Sequence, residues 1–238
     1  MIRTCALAKR FGRVDALRGI DLDLASGAVT GIVGPNGAGK TTFIKILLGL
    51  TRPDSGVVAF DGQPIGADVH YRSRIGYMPQ IARYPENLRV GELFDLVRDV
   101  RGADPAHPID DELIERFALR ELFDRPLRVL SGGTRQKVNA ALAFAFHPDL
   151  LILDEPTAGL DPVASATLKD KILAERQDGR TVIVTSHIMS ELEELCDDIV
   201  FLLEGAVRFA GSVREIKSTT RQTSLERAVA TLMIREVA

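Results

Sequence analysis

Apolar residues along the chain fall into two patterns, short unbroken runs and longer stretches with helical spacing. The runs are rich in β-branched residues and are typical of buried strands. They occupy residues 29–33, 57–60, 150–153, 181–185 and 199–203. Helical spacing follows two of them, with Ile44 and Leu48 on one face of the first segment and Leu192 and Leu195 on one face of the second. Strands that alternate with helices predict an α/β fold with a mainly parallel sheet covered on both faces.

Residues 81–147 have a different pattern, because they contain no strand-like run. Helical spacing covers 90–101 and 110–119, and Gly102 and several prolines separate the segments. We therefore expect a helical insertion between two strands of the core. Near the C-terminus, Thr223 and Glu226 have the spacing of a capping box and predict a further helix.

Composition excludes some classes of protein. The 238 residues carry 30 Lys and Arg against 33 Asp and Glu, a net charge of −3, which argues against nucleic-acid binding through a generally basic surface. The apolar runs are much shorter than the ~18 residues that span a bilayer. We expect a soluble, cytosolic chain in which Cys5 and Cys196 are reduced thiols.

A phosphate-binding loop is the strongest chemical signal in the sequence. The pattern G-x-x-x-x-G-K-[ST] lies between the strand 29–33 and a helix that starts near Thr42, which is the context that phosphate binding needs. Glycines let successive backbone N–H groups turn toward phosphate oxygens, and the helix N-terminus adds its dipole. The loop consists of Gly34, Pro35, Asn36, Gly37, Ala38, Gly39, Lys40 and Thr41.

An apolar strand ends in two carboxylates, Asp154 and Glu155. A buried strand would hold Asp154 rigidly at the carboxyl edge of the sheet, where it can bind Mg²⁺. Glu155 is then placed to polarise an attacking water. The alternative is a strand that runs into an acidic surface turn, and the phosphate loop in the same chain favours the catalytic interpretation.

Three further segments carry candidate functional residues. Ser131, Gly132 and Gly133 open an alanine-rich helix and form either a second phosphate-recognition site or a simple helix cap. His187 follows the strand 181–185, and Gln80 follows a strand at 75–78, from which it can reach metal or water.

The chain resembles the nucleotide-binding subunit of an ABC transporter over nearly its whole length. Six motifs occur in the order found in that family: the phosphate loop 34–41, a Q-loop glutamine (Gln80), a signature motif (130–136), a Walker B strand ending in Asp154 and Glu155, a D-loop (158–161) and a switch histidine (His187). The resemblance implies a P-loop NTPase (RecA-like) fold with an antiparallel β part near the N-terminus. It also implies one nucleotide-binding domain, 1–238, in which 1–80 and 148–222 form the ATPase core, 81–147 a helical subdomain and 223–238 a C-terminal helix.

The resemblance further implies that ATP and Mg²⁺ are the ligands and that the chain hydrolyses ATP. The catalytic residues would be Lys40, Gln80, Glu155 and His187, and the metal ligands Thr41, Gln80 and Asp154. Nucleotide contacts would come from the phosphate loop, Thr42 and Phe11, whose position is that of the family's adenine-stacking aromatic residue. Ser131, Gly132, Gly133 and Asp161 would act across a head-to-tail dimer.

The partners implied are a second cassette, expected to be an identical chain, and transmembrane permease subunits, with no nucleic acid. The chain would then lie at the cytoplasmic face of the cell membrane as a peripheral protein. Thr134 departs from the family pattern, since the commonest signature has glutamine there, on the ribose side.

Resemblance alone also suggests one branch, the ATPase of the copper-delivery transporter for nitrous-oxide reductase maturation. Two alternatives stay open. One is a soluble ABC ATPase acting on ribosomes or DNA, although the chain has no heptad run and no Cys-x-x-Cys. The other is a regulatory module that senses ATP without turning it over.

Overall fold

The computed structural model describes residues 1–66, 69–102 and 108–237, with only the backbone of 235–237. The strands are β1 Ile2–Phe11, β2 Val14–Leu24, β3 Val29–Val33, β4 Ser55–Phe60, β5 Gln63–Pro64, β6 Ile75–Met78, β7 Leu150–Asp154, β8 Thr181–Thr185, β9 Asp198–Leu203 and β10 Ala206–Ser212. The α-helices are α1 Lys40–Leu47, α2 Val90–Arg101, α3 Glu112–Arg116, α4 Gly132–Phe144, α5 Pro162–Gln177, α6 Met189–Leu195, α7 Val213–Thr220 and α8 Leu225–Val237.

A six-stranded sheet forms the centre of the molecule, in the order β10-β9-β3-β8-β7-β6. Five of these strands are parallel, and β10 pairs with β9 in the antiparallel direction. The carboxyl ends of β3, β6, β7 and β8 therefore meet at one edge of the sheet, where ligands bind in open α/β sheets. The predicted α/β class with a mainly parallel sheet is confirmed.

Alternate residues of these strands face two separate apolar clusters. On one face, Leu151 and Leu153 of β7 pack in the same cluster as Leu168 of α5. On the other face, Ile152 packs in the cluster that contains Ile44 of α1. This alternation decides which way the residue at the end of each strand points.

A second sheet, β2-β1-β4-β5, is antiparallel throughout and covers the α1 side of the core. It confirms the expected antiparallel β part near the N-terminus. Strands β1 and β2 are joined by a two-residue turn at Gly12 and Arg13. This turn places Phe11 and Val14 opposite each other at the tip of the hairpin.

Between β6 and β7, the described residues form helices α2, α3 and α4 and short 3₁₀ turns, as the sequence predicts. Residues 103–107 of the insertion and residue 238 lie outside the described part. The predicted helix at 110–119 is shorter, because α3 ends at Arg116 and a 3₁₀ turn follows Ala118, whose φ is +52°.

The capping box predicted at Thr223 is wrong by one residue. Helix α8 begins at Leu225, and the N–H of Arg227 donates to Ser224 Oγ at 3.4 Å. Leu225 and Val229 are buried against the core cluster that includes Leu192 of α6, so the helix docks on the same chain. No helix within the described ranges is long and apolar enough to cross a bilayer.

Candidate functional site

The loop between β3 and α1 is shaped by close approaches that only glycine permits. A Cβ on Gly34 would lie 2.2 Å from Leu202 O, at the end of β9. Gly39 has a φ of +105°, and a Cβ there would lie 2.5 Å from Ala16 O of β2. The loop is therefore held between the two sheets, with the N-terminus of α1 directly behind it.

The Lys40 side chain lies along this loop. Its ammonium group donates to Gly34 O at 2.6 Å and to Pro35 O at 3.1 Å. Burial lowers the pKa of Lys40, although the charges of Glu155 and Asp154 act in the opposite direction. A half-buried ammonium between a glycine loop and two carboxylates favours an anionic ligand that is itself accompanied by a cation.

Asp154 points toward α1 because of the alternation along β7. It shares a face with Ile152, and its register partner on β8 is Thr185. The Thr185 hydroxyl donates to Asp154 Oδ1. Thr185 is almost fully buried, so this hydrogen bond fixes one carboxylate oxygen and leaves the other for a ligand.

Glu155 leaves the strand in an unusual backbone conformation. Its φ is +50°, in the left-handed region that non-glycine residues rarely adopt. Its N–H is shared between Thr185 O at 3.0 Å and Thr185 Oγ1 at 3.2 Å. One carboxylate oxygen lies 2.8 Å from His187 Nε2. The turn therefore directs the Glu155 side chain away from Asp154 and toward the end of β8.

These groups surround one cavity of about 520 Å³ at the carboxyl edge of the sheet. This volume suits a ligand of nucleotide size. The cavity is lined by Val14, Ala16, Asn36, Gly37, Ala38, Gly39, Lys40, Thr41, Thr42, Gln80, Asp154, Glu155 and His187. The structure thus brings together all the residues that the sequence suggested for catalysis and metal binding.

Three residues at the site are not indicated by the sequence motifs. Val14 and Ala16 come from β2 of the antiparallel sheet, and Thr185 holds Asp154 from the neighbouring strand. Phe11, which was expected at the nucleotide, does not line the cavity in this structure. It is 51% exposed at the hairpin tip, with the Lys9 ammonium 5.3 Å from its ring centroid.

The signature residues lie outside the cavity. Ser131 caps α4, since its Oγ accepts from the N–H of Thr134 at 3.2 Å and lies 2.8 Å from Thr134 Oγ1. A Cβ on Gly133 would lie 3.1 Å from Gly159 O, so the start of α4 packs against residues 158–161. Asp161 caps α5 through the N–H of Ala164. The structure shows the helix cap at Ser131, and phosphate recognition by these residues stays a prediction.

Asp161 also forms an ion pair with Lys137 of α4. The two carboxylate oxygens of Asp161 have different partners. Lys137 Nζ donates to Oδ2 at 2.8 Å, and the N–H of Ala164 donates to Oδ1 at 2.8 Å. The hydrogen bond from Lys137 lowers the pKa of Asp161, which keeps the carboxylate ionised. This pair joins the signature helix to the start of α5.

The oxygen-bearing side chains at the cavity fit a magnesium ion. Thr41, Gln80 and Asp154 offer a hydroxyl, an amide oxygen and a carboxylate, and Mg²⁺ prefers such hard ligands. The described ranges contain no group of three His, Cys, Asp or Glu side chains that could hold a metal by themselves. Mg²⁺ commonly completes its shell with water and substrate phosphates, so a site with one carboxylate fits it together with a nucleotide.

Comparisons with known proteins also indicate a nucleotide-binding protein. The family model described as ABC transporter matches residues 17–158. A solved structure described as the ATP binding subunit of an ABC transporter superposes with a TM-score of 0.92 at 27% identity, covering 98% of this chain and 99% of that one. A bacterial Atm1-family ABC exporter with ATP bound gives a TM-score of 0.81 at 26% identity, covering all of this chain and 42% of the exporter.

Curated relatives extend the comparison. The Nod factor export ATP-binding protein I of Burkholderia lata is 37% identical over 83% of this chain, and the match spans 66% of that protein. The daunorubicin resistance ATP-binding protein DrrA3 of Streptomyces coeruleorubidus is 38% identical over 89% of this chain and 68% of its own length. The chain thus spans about two thirds of these relatives. It belongs to the ABC transporter family, as an ATPase cassette.

Proposed function

We propose that this chain hydrolyses ATP to ADP and phosphate and thereby powers an ABC transporter. The observation that carries the proposal is the convergence of Lys40, Thr41, Asp154, Glu155 and His187 on one cavity at the carboxyl edge of the sheet. Each of these side chains supplies a part that phosphoryl transfer to water requires. The set is complete, which favours turnover over a module that only senses ATP.

The phosphate loop and Lys40 bind and orient the nucleotide. Backbone N–H groups of residues 34–39 and the N-terminus of α1 attract the phosphates. Lys40 would exchange its present carbonyl partners, Gly34 and Pro35, for phosphate oxygens and would neutralise charge that grows in the transition state. Asn36, Gly37, Ala38 and Thr42 complete the lining of the loop.

Thr41, Gln80 and Asp154 would hold Mg²⁺. The ion, when bound, withdraws charge from the phosphate oxygens. Thr185 positions Asp154 for this task through its hydroxyl. Glu155 would accept a proton from the attacking water and align it, while His187 holds the carboxylate in place and would reach the terminal phosphate.

The signature residues are proposed to complete the site of a second, identical cassette. Ser131, Gly132 and Gly133 lie at an exposed helix N-terminus away from this chain's own cavity, where they fit a phosphate bound by another subunit. Asp161, next to them, would couple the two sites. Phe11, exposed at the hairpin tip, would stack on the adenine.

Transport is favoured because the two curated relatives are named for export and for drug resistance. We propose transmembrane permease subunits as partners, with the chain at the cytoplasmic face of the membrane. The copper-maturation branch is a narrower prediction, and neither of those two relatives supports it. An ATPase that acts on ribosomes or DNA is not favoured by the comparisons.

Two measurements test this function. Phosphate release by the purified chain should require Mg²⁺ and fall by about 10²-fold or more in Glu155→Gln, with nucleotide binding retained. Purification of the tagged chain from gently solubilised membranes should bring a multi-spanning protein in equal amount. Recovery of the chain only with ribosomes or DNA would overturn transport, and phosphate release at the background level would overturn catalysis.

A further inference from the structure

A buried polar side chain fastens helix α4 to the loop that follows Gln80. Asn139 is fully buried in the third turn of α4. Its Nδ2 donates to Pro79 O at 3.0 Å, one residue before Gln80, and its Oδ1 accepts from the Tyr84 hydroxyl at 3.0 Å. Both ends of the amide therefore bind the segment 79–84, and a buried amide with satisfied ends resists displacement.

The Tyr84 hydroxyl is a dependable donor to this amide. Burial raises the pKa of Tyr84 to about 12, so the phenol stays protonated at physiological pH. The Pro79 carbonyl can only accept, so the N–H₂ group of Asn139 must face it, and this group also lies 3.5 Å from Gln136 Oε1. The other end of the amide, Oδ1, then accepts from the Tyr84 hydroxyl. The orientation of the Asn139 amide follows from these partners.

An ion pair joins the same two segments on the outside. The Arg135 guanidinium binds both carboxylate oxygens of Glu86, at 2.7 and 2.8 Å. Both side chains are exposed, so the pair stabilises the fold little. It is a second, bidentate contact between this loop and the first turn of α4.

These contacts connect two functional groups that lie on different elements. Ser131 is the N-cap of helix α4 and the residue proposed to meet the nucleotide of a second subunit. The Pro79 peptide leads directly into Gln80, which lines this chain's own cavity. A displacement of α4 therefore pulls on the peptide that places the Gln80 side chain.

We propose that Asn139 is a positioning residue for Gln80, through which the place of helix α4 sets the affinity of the cavity for Mg²⁺. The inference rests on the proposed function, since it takes Mg²⁺ and ATP as the ligands. The Asn139 amide thus links the N-terminus of α4, where Ser131 lies, to Gln80, one of the proposed Mg²⁺ ligands.

The test uses the full chain with Glu155→Gln, so that nucleotide is bound without turnover. Binding of a fluorescent ATP analogue is measured against free Mg²⁺ for this parent and for three derivatives, Asn139→Ala, Gln80→Ala and the double variant. Asn139→Ala should raise the half-saturating Mg²⁺ concentration by about 10-fold, as loss of an outer-shell partner does at other metal sites. The double variant should match Gln80→Ala, because Asn139 acts only through Gln80.

Tyr84→Phe is the matched control, since it removes one hydrogen bond of Asn139 and leaves the bond to Pro79. It should lower the melting temperature with little change in the Mg²⁺ curve. Asn139→Ser, whose hydroxyl is too short to reach Pro79, replaces Asn139→Ala if that variant fails to fold, and the same shift is expected.

Two results would overturn the inference alone: a lower melting temperature with an unchanged Mg²⁺ curve, or effects of Asn139 and Gln80 that simply add. A parent that binds no nucleotide at any Mg²⁺ concentration would instead overturn the proposed function, and this inference with it.

Discussion

His187 Nε2 lies 2.8 Å from Glu155 Oε1, which joins the ends of strands β7 and β8 at the mouth of the cavity. The Glu155 backbone adopts a φ of +50°, a conformation that costs about 1–3 kcal/mol for a residue other than glycine. The contact with His187 fixes the side chain that this strained turn presents. The carboxylate is thereby held in one orientation at the cavity that the phosphate loop also lines.

His187→Ala should lower phosphate release by about 10²-fold, because a carboxylate free to rotate loses its alignment with the attacking water. Nucleotide affinity should change less than the rate, since the loop 34–41 and Lys40 make most of the proposed phosphate contacts and His187 adds one at the edge of the cavity. Single-turnover hydrolysis and equilibrium nucleotide titration separate the two effects. His187→Gln, which keeps an N–H donor, should recover part of the rate, and equal losses in both variants would contradict the positioning role.

The phosphate loop and the acidic strand were predictable because their signals are local in the sequence. A glycine loop between a strand and a helix, or a strand ending in Asp154 and Glu155, can be recognised without knowing the neighbours. Thr185 could not be recognised in this way, because it meets Asp154 only through the pairing of β7 with β8 across 31 residues of chain.

The residues that the antiparallel sheet contributes to the cavity could not be predicted from the sequence for a similar reason. Ala16 reaches the loop only because β2 packs over Gly39, and the β2 sequence carries no phosphate-binding signal of its own. For Ser131, the structure of one chain shows only part of the proposed role. Its helix-cap geometry is visible in one chain, whereas a phosphate supplied by a second subunit is not.

Thr185→Val should weaken Mg²⁺ binding in the cavity. The substitution keeps the shape of the side chain but removes the hydroxyl that donates to Asp154 and accepts from the Glu155 N–H. A hydrogen bond to a charged group contributes about 1.5–3 kcal/mol, so Mg²⁺-dependent nucleotide binding should fall by roughly 10-fold or more. Thr185→Ser retains the hydroxyl and should bind like the wild type. A valine variant with unchanged Mg²⁺ dependence would remove Thr185 from the site.

Thr134→Val should weaken ATP-driven pairing of two cassettes. Ser131 Oγ accepts from the Thr134 N–H, and when the Thr134 hydroxyl also donates, the Ser131 proton is left for a phosphate of the partner. Loss of one hydrogen bond costs about 1 kcal/mol, or roughly 5-fold per site. Sedimentation of the Glu155→Gln parent with ATP measures the dimer. Thr134→Ser is the control, and a valine variant that pairs as tightly as the parent would contradict this role.

Lys171 of α5 is a buried cation whose removal should destabilise the whole fold. Its ammonium contacts Asp110, Glu112 and Glu175 at 2.6, 3.0 and 2.8 Å, and its side chain is only 7% exposed. Lys171→Met leaves these carboxylates without their cation, so the free energy of unfolding should fall by about 3–5 kcal/mol in a denaturant titration. The same substitution at Lys169, whose pair with Glu194 is more exposed, should cost less than about 1 kcal/mol.

The pH dependence gives this prediction a second check. Burial lowers the pKa of Lys171, but its hydrogen bonds to the three carboxylates outweigh burial and raise the pKa above the usual value. For a base whose folded-state pKa is raised, the stabilisation is complete below the unfolded-state pKa and declines only as the pH rises through the folded-state value. The difference between wild type and Lys171→Met should therefore stay constant from pH 7 to about 9. A difference that closes within this range, or one no larger than that of Lys169→Met, would show that the buried cluster does not stabilise the fold.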